Sequence, residues 1–490
     1  MTVKLETVNE ENLDPKDWLQ TTKLGKQMVE DMMQYLKTVR ERKIWQPIPT
    51  EVREEFRRSL PLDGMSQQEI YDDFKKHILP YPMGNIHPRF WGWVIGTGTP
   101  FGALADFLAS IMNPNQGGGE HIANHIETQV LDWFKEMLGY PSDASGILLS
   151  GGSMANLLGM TVARNTKIES VRETGLIETG KQFTYYSSVE AHSSVVKAAE
   201  LLGIGSKYLR KIPVDENFEI IISKLEEQIK QDKENGMIPL CIVGNAGTVN
   251  TGAVDDLNAI ADICERENLW FHVDGAFGSL VHLSEKYKSM VKGMERSDSL
   301  AFDAHKWLFM PYEIAVTLVK DRKAHYQAFV YTPEYLAHAD RGVHSADLWY
   351  SDYGLQLSRG FRSLKVWMSL KEHGIKKYGR LIEQNINQAK YLENIINNTD
   401  RLENMAPVPM NIVCFRMNPG DRDQVALNKL NEEILIELHE RGIAVPSYTT
   451  LNNNYLIRVA ITNHRSELSD FDLLVASVLE IGDELISSGM

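Results

Sequence analysis

The chain has 490 residues, an apolar content of 43% and a formal net charge of −15 at neutral pH. This length suits two or three domains with a large core, and the negative charge argues against nucleic acid or an anionic membrane as a partner. The three cysteines have no metal-ligand spacing, so we expect no metal site and a reducing compartment.

The first ten residues are polar and lack the apolar core of a signal peptide. No apolar run in the sequence approaches the roughly 18 residues that a membrane-spanning helix requires. We therefore expect a soluble, cytoplasmic protein with no membrane partner.

Three parts follow one another along the chain. Residues 1–85 are predicted to be amphipathic helices, because apolar side chains recur at helical spacing there. Residues 86–375 alternate strand-like runs with helical patterns, which predicts a large α/β domain with a mostly parallel sheet and helices on both faces. Residues 376–490 are predicted to form a small α/β domain.

A strand-like run in residues 146–149 ends in Ser150, Gly151 and Gly152, and a helical pattern follows from Ser153. Unpaired N–H groups and the macrodipole at a helix N-terminus attract phosphate, and glycine permits its close approach. The segment is therefore a candidate phosphate site, although such a turn alone is usually only a loop.

Three further strand-like runs end in side chains that carry chemistry. Residues 183–186 lead to His192, which could lie over a flat ring or be a structural histidine. Residues 239–244 open into a polar turn that contains Thr248, a hydroxyl donor. Asp274 ends the run 269–273; a carboxylate there could pair with a protonated ring nitrogen, or merely cap the strand.

Lys306 lies just after the apolar run 299–302, where a cation would normally be excluded. Lysine forms Schiff bases with carbonyl compounds, so covalent attachment of pyridoxal 5'-phosphate (PLP) is the leading interpretation. The alternative is a lysine that extends its amine to solvent.

These five features follow strand-like runs in the order phosphate turn, histidine, threonine, aspartate, lysine, and open α/β sheets bind ligands at the carboxyl ends of their strands. In this order the chain resembles the group II PLP-dependent amino acid decarboxylases, and its pattern is most similar to the aromatic-L-amino-acid decarboxylases. The resemblance runs from residues 85–90 through 359–365 to the C-terminal part. It implies the PLP-dependent transferase fold type I, an amino acid substrate and a homodimer.

The resemblance also implies residue roles. Lys306 would hold PLP covalently, Asp274 would pair with the ring nitrogen and His192 would stack on the ring. Asp303 is expected to pair with a cation or a hydroxyl rather than with the phosphate. The remaining cofactor-binding residues are expected to be Gly152, Ser153, Thr248, Ala276 and His305. Alternatively, His305 supports the residues that contact PLP without contacting PLP itself.

Residues 330–344 are polar and poorly periodic, which predicts a long loop over the active site. The family carries a catalytic loop here, and its Pro-x-Tyr-Leu motif is present as residues 333–336. The resemblance implies that Tyr335 donates the proton that completes amine formation, whereas phenylalanine in that place is associated with oxidative aldehyde synthesis. Alternatively, Tyr335 only packs its loop.

Residues 87–94 resemble the family stretch that lines the substrate pocket. Phe90, Trp91 and Trp93 offer flat apolar walls, so an aromatic L-amino acid of tryptophan, tyrosine, phenylalanine or DOPA type is expected, unless the tryptophans only pack the domain. Gly275 and Phe277 differ from the Ala and Tyr common in aromatic decarboxylases, which leaves a different substrate open.

Residues 116–121 supply flexible backbone near where a partner subunit would contribute, and His125 and Glu127 are further polar candidates at this subunit boundary. Other classes of protein also remain open. They are a decarboxylase of a non-aromatic amino acid, a PLP-dependent carbon–carbon lyase, an aminotransferase and a non-enzymatic scaffold.

Overall fold

The structure is a computed structural model that describes residues 11–331 and 339–489. The chain divides into two compact units, Met1–Met83 and Gly84–Met490. Within the described ranges, no helix combines the length and the apolar character needed to cross a membrane.

The first unit is helical, as predicted. Its helices are α1 (Trp18–Lys37), α2 (Thr50–Glu55) and α3 (Gln67–Asp73). The side chain of Asp17 accepts hydrogen bonds from the first turn of α1, and Ser66 and Glu69 form a capping box at the start of α3. Tyr71 on α3 donates to Asp31 on α1 at 2.7 Å, which joins the two helices.

The second unit contains two sheets. Its strands are β1 (Phe90–Trp91), β2 (Ser145–Leu149), β3 (Phe183–Ser188), β4 (Leu209–Ile212), β5 (Ile238–Asn245), β6 (Trp270–Asp274), β7 (Ser299–Asp303), β8 (Ala315–Val319), β9 (Leu402–Asn404), β10 (Ile412–Met417), β11 (Val445–Leu451) and β12 (Asn454–Ala460). Its helices are α4 (Pro100–Met112), α5 (Ile122–Met137), α6 (Gly152–Lys167), α7 (Val171–Thr174), α8 (Ser193–Leu201), α9 (Ile222–Glu234), α10 (Leu257–Glu267), α11 (Ala304–Trp307), α12 (Arg322–Phe329), α13 (Ser363–His373), α14 (Ile375–Asn397), α15 (Gln424–Glu440) and α16 (Leu468–Ser487).

The large sheet has seven strands in the order β2-β8-β7-β6-β5-β3-β4. Strands β7, β6, β5, β3 and β4 are mutually parallel, and β8 runs antiparallel to both of its neighbours. Apart from the edge strand β4, the strands are almost wholly buried, as expected for a sheet that is covered on both faces. The predicted α/β class with a mostly parallel sheet is confirmed.

Helices cover both faces of this sheet. Gly159 on α6 lies against the ring of His272, whereas Gly244 on β5 lies against Leu257 of α10 and Phe271. His272 and Phe271 are consecutive residues of β6 and therefore point to opposite faces. Helices α6 and α10 thus pack on opposite sides, which fixes α6 on the face that also carries the candidate site.

A smaller sheet has the order β1-β11-β12-β10-β9, and all of its pairs are antiparallel except β1 with β11. It has a hydrophobic core of its own, formed with α14, α15 and α16. The two-residue strand β1 comes from a segment assigned to the large domain on sequence. The predicted domain boundaries at residues 85 and 375 stay a prediction.

Candidate active site

A cleft of about 500 Å³ lies at the carboxyl edge of the large sheet. Strands β3, β5, β6 and β7 all end at this edge, because they are parallel. Strand β2 also ends there, since Leu149 and Asp303 both pair with Ala315 of β8. The cleft is lined among others by Trp93, Val94, Gly152, Ser153, Asn156, His192, Thr248, Asp274, Ala276, Phe277, Asp303, His305, Lys306 and Tyr312.

The N-terminus of α6 forms one wall of the cleft. Gly151 precedes the helix and makes no side-chain capping bond, so the first N–H groups of α6 are free for a ligand. A Cβ atom at Gly152 would lie 2.7 Å from Asp303 Oδ2, which explains why a glycine is needed there. The arrangement supplies a site for an anion such as phosphate.

Lys306 lies on α11, directly after β7, and its side chain is 21% exposed. Its Nζ is 2.7 Å from Oδ2 of Asp303, a side chain that is only 2% exposed. The expectation that Asp303 pairs with a cation is confirmed. The ion pair holds the amine of Lys306 next to the N-terminus of α6.

His305 is buried beside this pair. Its Nδ1 accepts a hydrogen bond from the N–H of Ile314 at 3.1 Å, and its Nε2 is 3.7 Å from Asp303 Oδ1. The ring packs against Tyr312 with 4.3 Å between centroids. Burial lowers the pKa of His305, so the ring is neutral and its Nε2 carries the proton.

Asp274 ends β6 and is buried at the base of the cleft. Its Oδ2 accepts a hydrogen bond from Asn156 Nδ2 at 2.8 Å, and its Oδ1 accepts one from the N–H of Ala276 at 3.2 Å. Both partners are donors, which suits an ionised carboxylate. The cleft therefore has a fixed negative charge at its base.

His192 and Thr248 complete the cleft. His192 precedes α8 and exposes its ring to the cleft, with Nδ1 2.8 Å from Ser194 Oγ. Partial burial of the ring lowers the pKa of His192, and the nearby Asp274 carboxylate opposes this effect. Thr248 is buried in the turn after β5, where its hydroxyl lies 3.2 Å from that of Thr251.

The structure corrects the predicted substrate pocket. Trp93 lines the cleft and is 56% exposed. Trp91, in contrast, is buried in the core of the small sheet, where it stacks on Phe471 at 4.9 Å and donates to Ser466 at 3.0 Å. Phe90 is buried beside Trp93 in β1 and is absent from the lining of the cleft. Only one of the three aromatic residues therefore faces the candidate site, because β1 joins the small sheet.

Glu127 is also placed differently from the expectation. Its carboxylate is fully buried and forms an ion pair with Arg359, which also donates to the carbonyl oxygens of Gln116 and Leu148. It supports the strand that leads into α6 rather than a subunit boundary. His125 remains near the surface, 2.9 Å from Glu120. Tyr335, the predicted proton donor, lies outside the described residues.

Sequence reasoning missed two residues that organise the cleft. Asn156 lies one helical turn after Gly152, so its spacing in α6 could have pointed to it. Arg458 on β12 carried no local signal. Its buried guanidinium donates to the carbonyl oxygens of Trp93, Val249 and Asn250, which fixes two edges of the cleft.

A lysine amine, an anion-binding helix terminus and a buried carboxylate in one cleft define a PLP-dependent enzyme of fold type I. A family model described as the pyridoxal-dependent decarboxylase conserved domain matches residues 49–418. The chain belongs to this family and is a PLP-dependent carboxy-lyase that acts on an amino acid.

Individual relatives agree with this assignment. Aromatic-L-amino-acid decarboxylase from Bacillus atrophaeus is 33% identical, over 94% of this chain and 95% of the relative. Histidine decarboxylase from Homo sapiens is 30% identical, over 91% of this chain and 68% of the relative. The solved structure of Oryza sativa TDC with PLP and tryptamine has a TM-score of 0.89 at 23% identity, and the match covers 97% of this chain and 100% of that one. It establishes the fold.

The described residues fit PLP as the cofactor. Within the cleft, the free N–H groups of α6 suit a phosphate, the Asp274 carboxylate suits a protonated ring nitrogen, and the Lys306 amine suits an aldehyde. Membership of a decarboxylase family also makes a scaffold, an aminotransferase or a carbon–carbon lyase the weaker interpretation.

Proposed function

We propose that the enzyme converts an aromatic L-amino acid to the corresponding amine and carbon dioxide. The observation that carries this proposal is that Trp93, Val94 and Phe277 are among the residues that line the cleft, because apolar and aromatic side chains suit an aromatic ring. The identity to the Bacillus atrophaeus enzyme supports the same substrate class. The similar identity to histidine decarboxylase makes histidine the second candidate.

The proposed roles of the residues follow from their contacts. When bound, PLP withdraws electrons from the bond that joins the substrate's carboxylate to its α-carbon. Lys306 would hold the aldehyde carbon of the cofactor, and Asp274 would hold the proton on the ring nitrogen. His192 would cover one face of the ring. These positions would keep the ring fixed and would leave the apolar residues that line the cleft for the substrate side chain.

The phosphate would lie at the N-terminus of α6. Gly152 and Ser153 are proposed to donate backbone and hydroxyl hydrogen bonds, with Thr248 and His305 on the other sides. The neutral His305 has a donor at Nε2, which suits a phosphate oxygen. Ala276 lines the cleft and would leave room for the ring, since its side chain is a single methyl group.

The proton that completes the reaction is proposed to come from Tyr335. A phenol can act as a general acid once it lies within hydrogen-bond distance of the reacting carbon. The basis for this role is the sequence motif at residues 333–336.

We further propose that the enzyme is a cytoplasmic homodimer. Helix α4 leaves Phe107, Leu108, Ile111 and Met112 between 45% and 72% exposed, and soluble monomers rarely expose such a contiguous apolar surface. A second copy of the chain would cover it. We expect Ile111→Glu to convert a dimer to a monomer in sedimentation analysis, while Ile177→Glu, at a more exposed isoleucine outside α4, should leave a dimer intact.

The substrate is tested by supplying each amino acid separately and measuring both carbon dioxide and amine, with the Lys306→Ala variant as the blank. We expect release from an aromatic amino acid at a rate at least tenfold above that from histidine or glutamate. Preferred release from histidine or glutamate contradicts the proposed substrate class but leaves decarboxylation intact.

A further inference from the structure

A continuous chain of hydrogen bonds runs behind the cleft. It leads to Asp274 and to His192, the two residues that are proposed to contact the cofactor ring. Trp270 Nε1 is 2.8 Å from Ser299 Oγ, which is 2.8 Å from His272 Nδ1. His272 Nε2 is 3.0 Å from Asn156 Oδ1. Asn156 Nδ2 then contacts both Asp274 Oδ2 at 2.8 Å and Ser194 Oγ at 3.0 Å. We call these residues the hydrogen-bond chain: Trp270, Ser299, His272, Asn156, Asp274 and Ser194.

The two ends of the hydrogen-bond chain determine its direction. Trp270 can only donate and an ionised Asp274 can only accept. Ser299 therefore accepts from Trp270 and donates to His272 Nδ1, and His272 donates from Nε2 to Asn156. Burial lowers the pKa of His272 to about 3, so its ring is neutral and carries only one proton. The amide of Asn156 has a single orientation that satisfies every partner.

A branch of the hydrogen-bond chain reaches His192. Ser194 Oγ accepts from Asn156, so its hydroxyl proton is free to donate to His192 Nδ1 at 2.8 Å. The backbone N–H of Ser194 also points to this nitrogen, at 3.2 Å. Two donors therefore converge on His192 Nδ1, and the proton of the neutral ring must reside on Nε2.

We propose that Asn156, Ser194 and His272 are positioning residues that fix Asp274 as an acceptor and His192 as an Nε2–H donor toward the cleft. Asn156 is the junction, since it is the one member that touches both branches. The inference rests on the proposed cofactor site for its catalytic meaning, but it does not depend on which amino acid is the substrate.

This arrangement has a chemical consequence for the reaction. A histidine that presents N–H to the cleft can donate a hydrogen bond to a carboxylate, but it cannot remove a proton through that nitrogen. His192 would then orient an anionic group of the substrate rather than act as a base. A neutral ring also avoids placing a second positive charge beside a protonated pyridine ring.

Nuclear magnetic resonance on the PLP-loaded protein with ¹⁵N-labelled histidine tests the proposal. The His192 signals are identified by their loss in His192→Gln. At pH 7.5 we expect a neutral His192 with its proton on Nε2. A proton on Nδ1, or a charged ring at that pH, overturns the proposal, and neither reading requires turnover or a known substrate.

Variants test the two branches separately. Ser194→Ala removes one donor to Nδ1, so His192 should bind a proton about tenfold more tightly. Ser297→Ala removes another buried serine hydroxyl, one that donates to the carbonyl oxygen of Met294, and should leave the titration of His192 unchanged. An unchanged titration in Ser194→Ala would show that the branch does not act on His192.

The junction is tested with Asn156→Leu. Leucine is similar in volume to asparagine but cannot form the hydrogen bonds that connect the two branches. The visible absorbance of bound PLP changes with pH, and we expect the midpoint of this change to shift by at least tenfold in proton concentration relative to the parent protein. The reason is that Asp274 loses a hydrogen-bond donor. Asn431→Leu, at a buried asparagine on α15, is the matched control and should keep the parent profile. If Asn156→Leu keeps the pH dependence of the absorbance seen in the parent protein, Asn156 is not the junction of the two branches. Should that variant not fold, the tautomer of the parent protein still decides the proposal.

Discussion

At the scale of single residues, the most unusual feature is a carboxylate beside an anion site. Asp303 lies against Gly152 and forms an ion pair with Lys306, and its buried Oδ1 has no hydrogen-bond partner among the described residues. A carboxylate there attracts the lysine but repels a phosphate at the same helix terminus. The two effects can be separated by experiment.

Lys306→Ala should abolish both turnover and covalent retention of PLP, because no other amine is expected to reach the aldehyde. Borohydride reduction of the parent followed by peptide mapping should find the cofactor on Lys306 alone. Modification of a different lysine would show that the assignment is wrong.

Asp303→Asn should bind pyridoxamine phosphate about tenfold more tightly, because the variant removes a negative charge from the phosphate site. This ligand has the phosphate of PLP but an amine in place of the aldehyde, so its affinity excludes the covalent bond. Fluorescence titration measures it. Asp298→Asn makes the same change at the opposite end of β7 and should leave the affinity unaltered. Weaker binding by Asp303→Asn would contradict the repulsion.

At the scale of elements, the ends of the strands were predictable, because each end is marked in the sequence by an apolar run that stops at polar or small residues. The apolar runs before His192, Asp274 and Lys306 are buried parallel strands, and parallel strands bring their carboxyl ends to one edge. Strand β1 was not predictable in this way. It pairs with β11 more than 350 residues later, as Phe90 with Val445, and its two residues carry no periodicity.

The same distinction applies to the site. Asn156 follows the phosphate turn at helical spacing and was within reach of sequence reasoning, whereas Arg458 contacts Trp93 across a separation of 365 residues. Glu127 was mistaken for a boundary residue because its partner Arg359 lies 232 residues away. Contacts of this kind depend on the assembled fold rather than on a local pattern.

The segment between α12 and α13 carries the prediction for Tyr335. Tyr335→Phe keeps the ring and removes only the proton, so PLP affinity should hold while amine formation falls by at least a hundredfold. Product analysis under air should then detect aldehyde, ammonia and hydrogen peroxide. Amine formation at close to the parental rate, with no aldehyde, would exclude Tyr335 as the donor and favour a packing role.

At the scale of the whole molecule, buried and half-buried neutral histidines make the fold sensitive to acid. Burial lowers the pKa of His272 to about 3 and those of His325 and His464 to about 4, whereas an exposed histidine titrates near pH 6.5. The unfolded chain therefore binds more protons than the folded chain between these values. Stability is complete above about pH 6.5 and falls as the pH decreases toward 4.

We expect the free energy of unfolding to fall between pH 7 and pH 5 by about 2 kcal/mol for each of these three histidines. Urea unfolding at both values measures the change. His325→Gln removes one titrating group, so its loss of stability over the same interval should be smaller by about that amount. An equal loss in this variant and in the parent would contradict the contribution of His325.

Arg458 also sets a condition on how the enzyme is made in the cell. Arg458 lies 365 residues after Trp93, yet its side chain fixes the backbone at Trp93, Val249 and Asn250. A ribosome must therefore synthesise and release β12 before the cleft can acquire its final form. Capture of the vitamin-derived cofactor should follow translation rather than accompany it, and nascent chains that stop before β12 should leave the ribosome colourless.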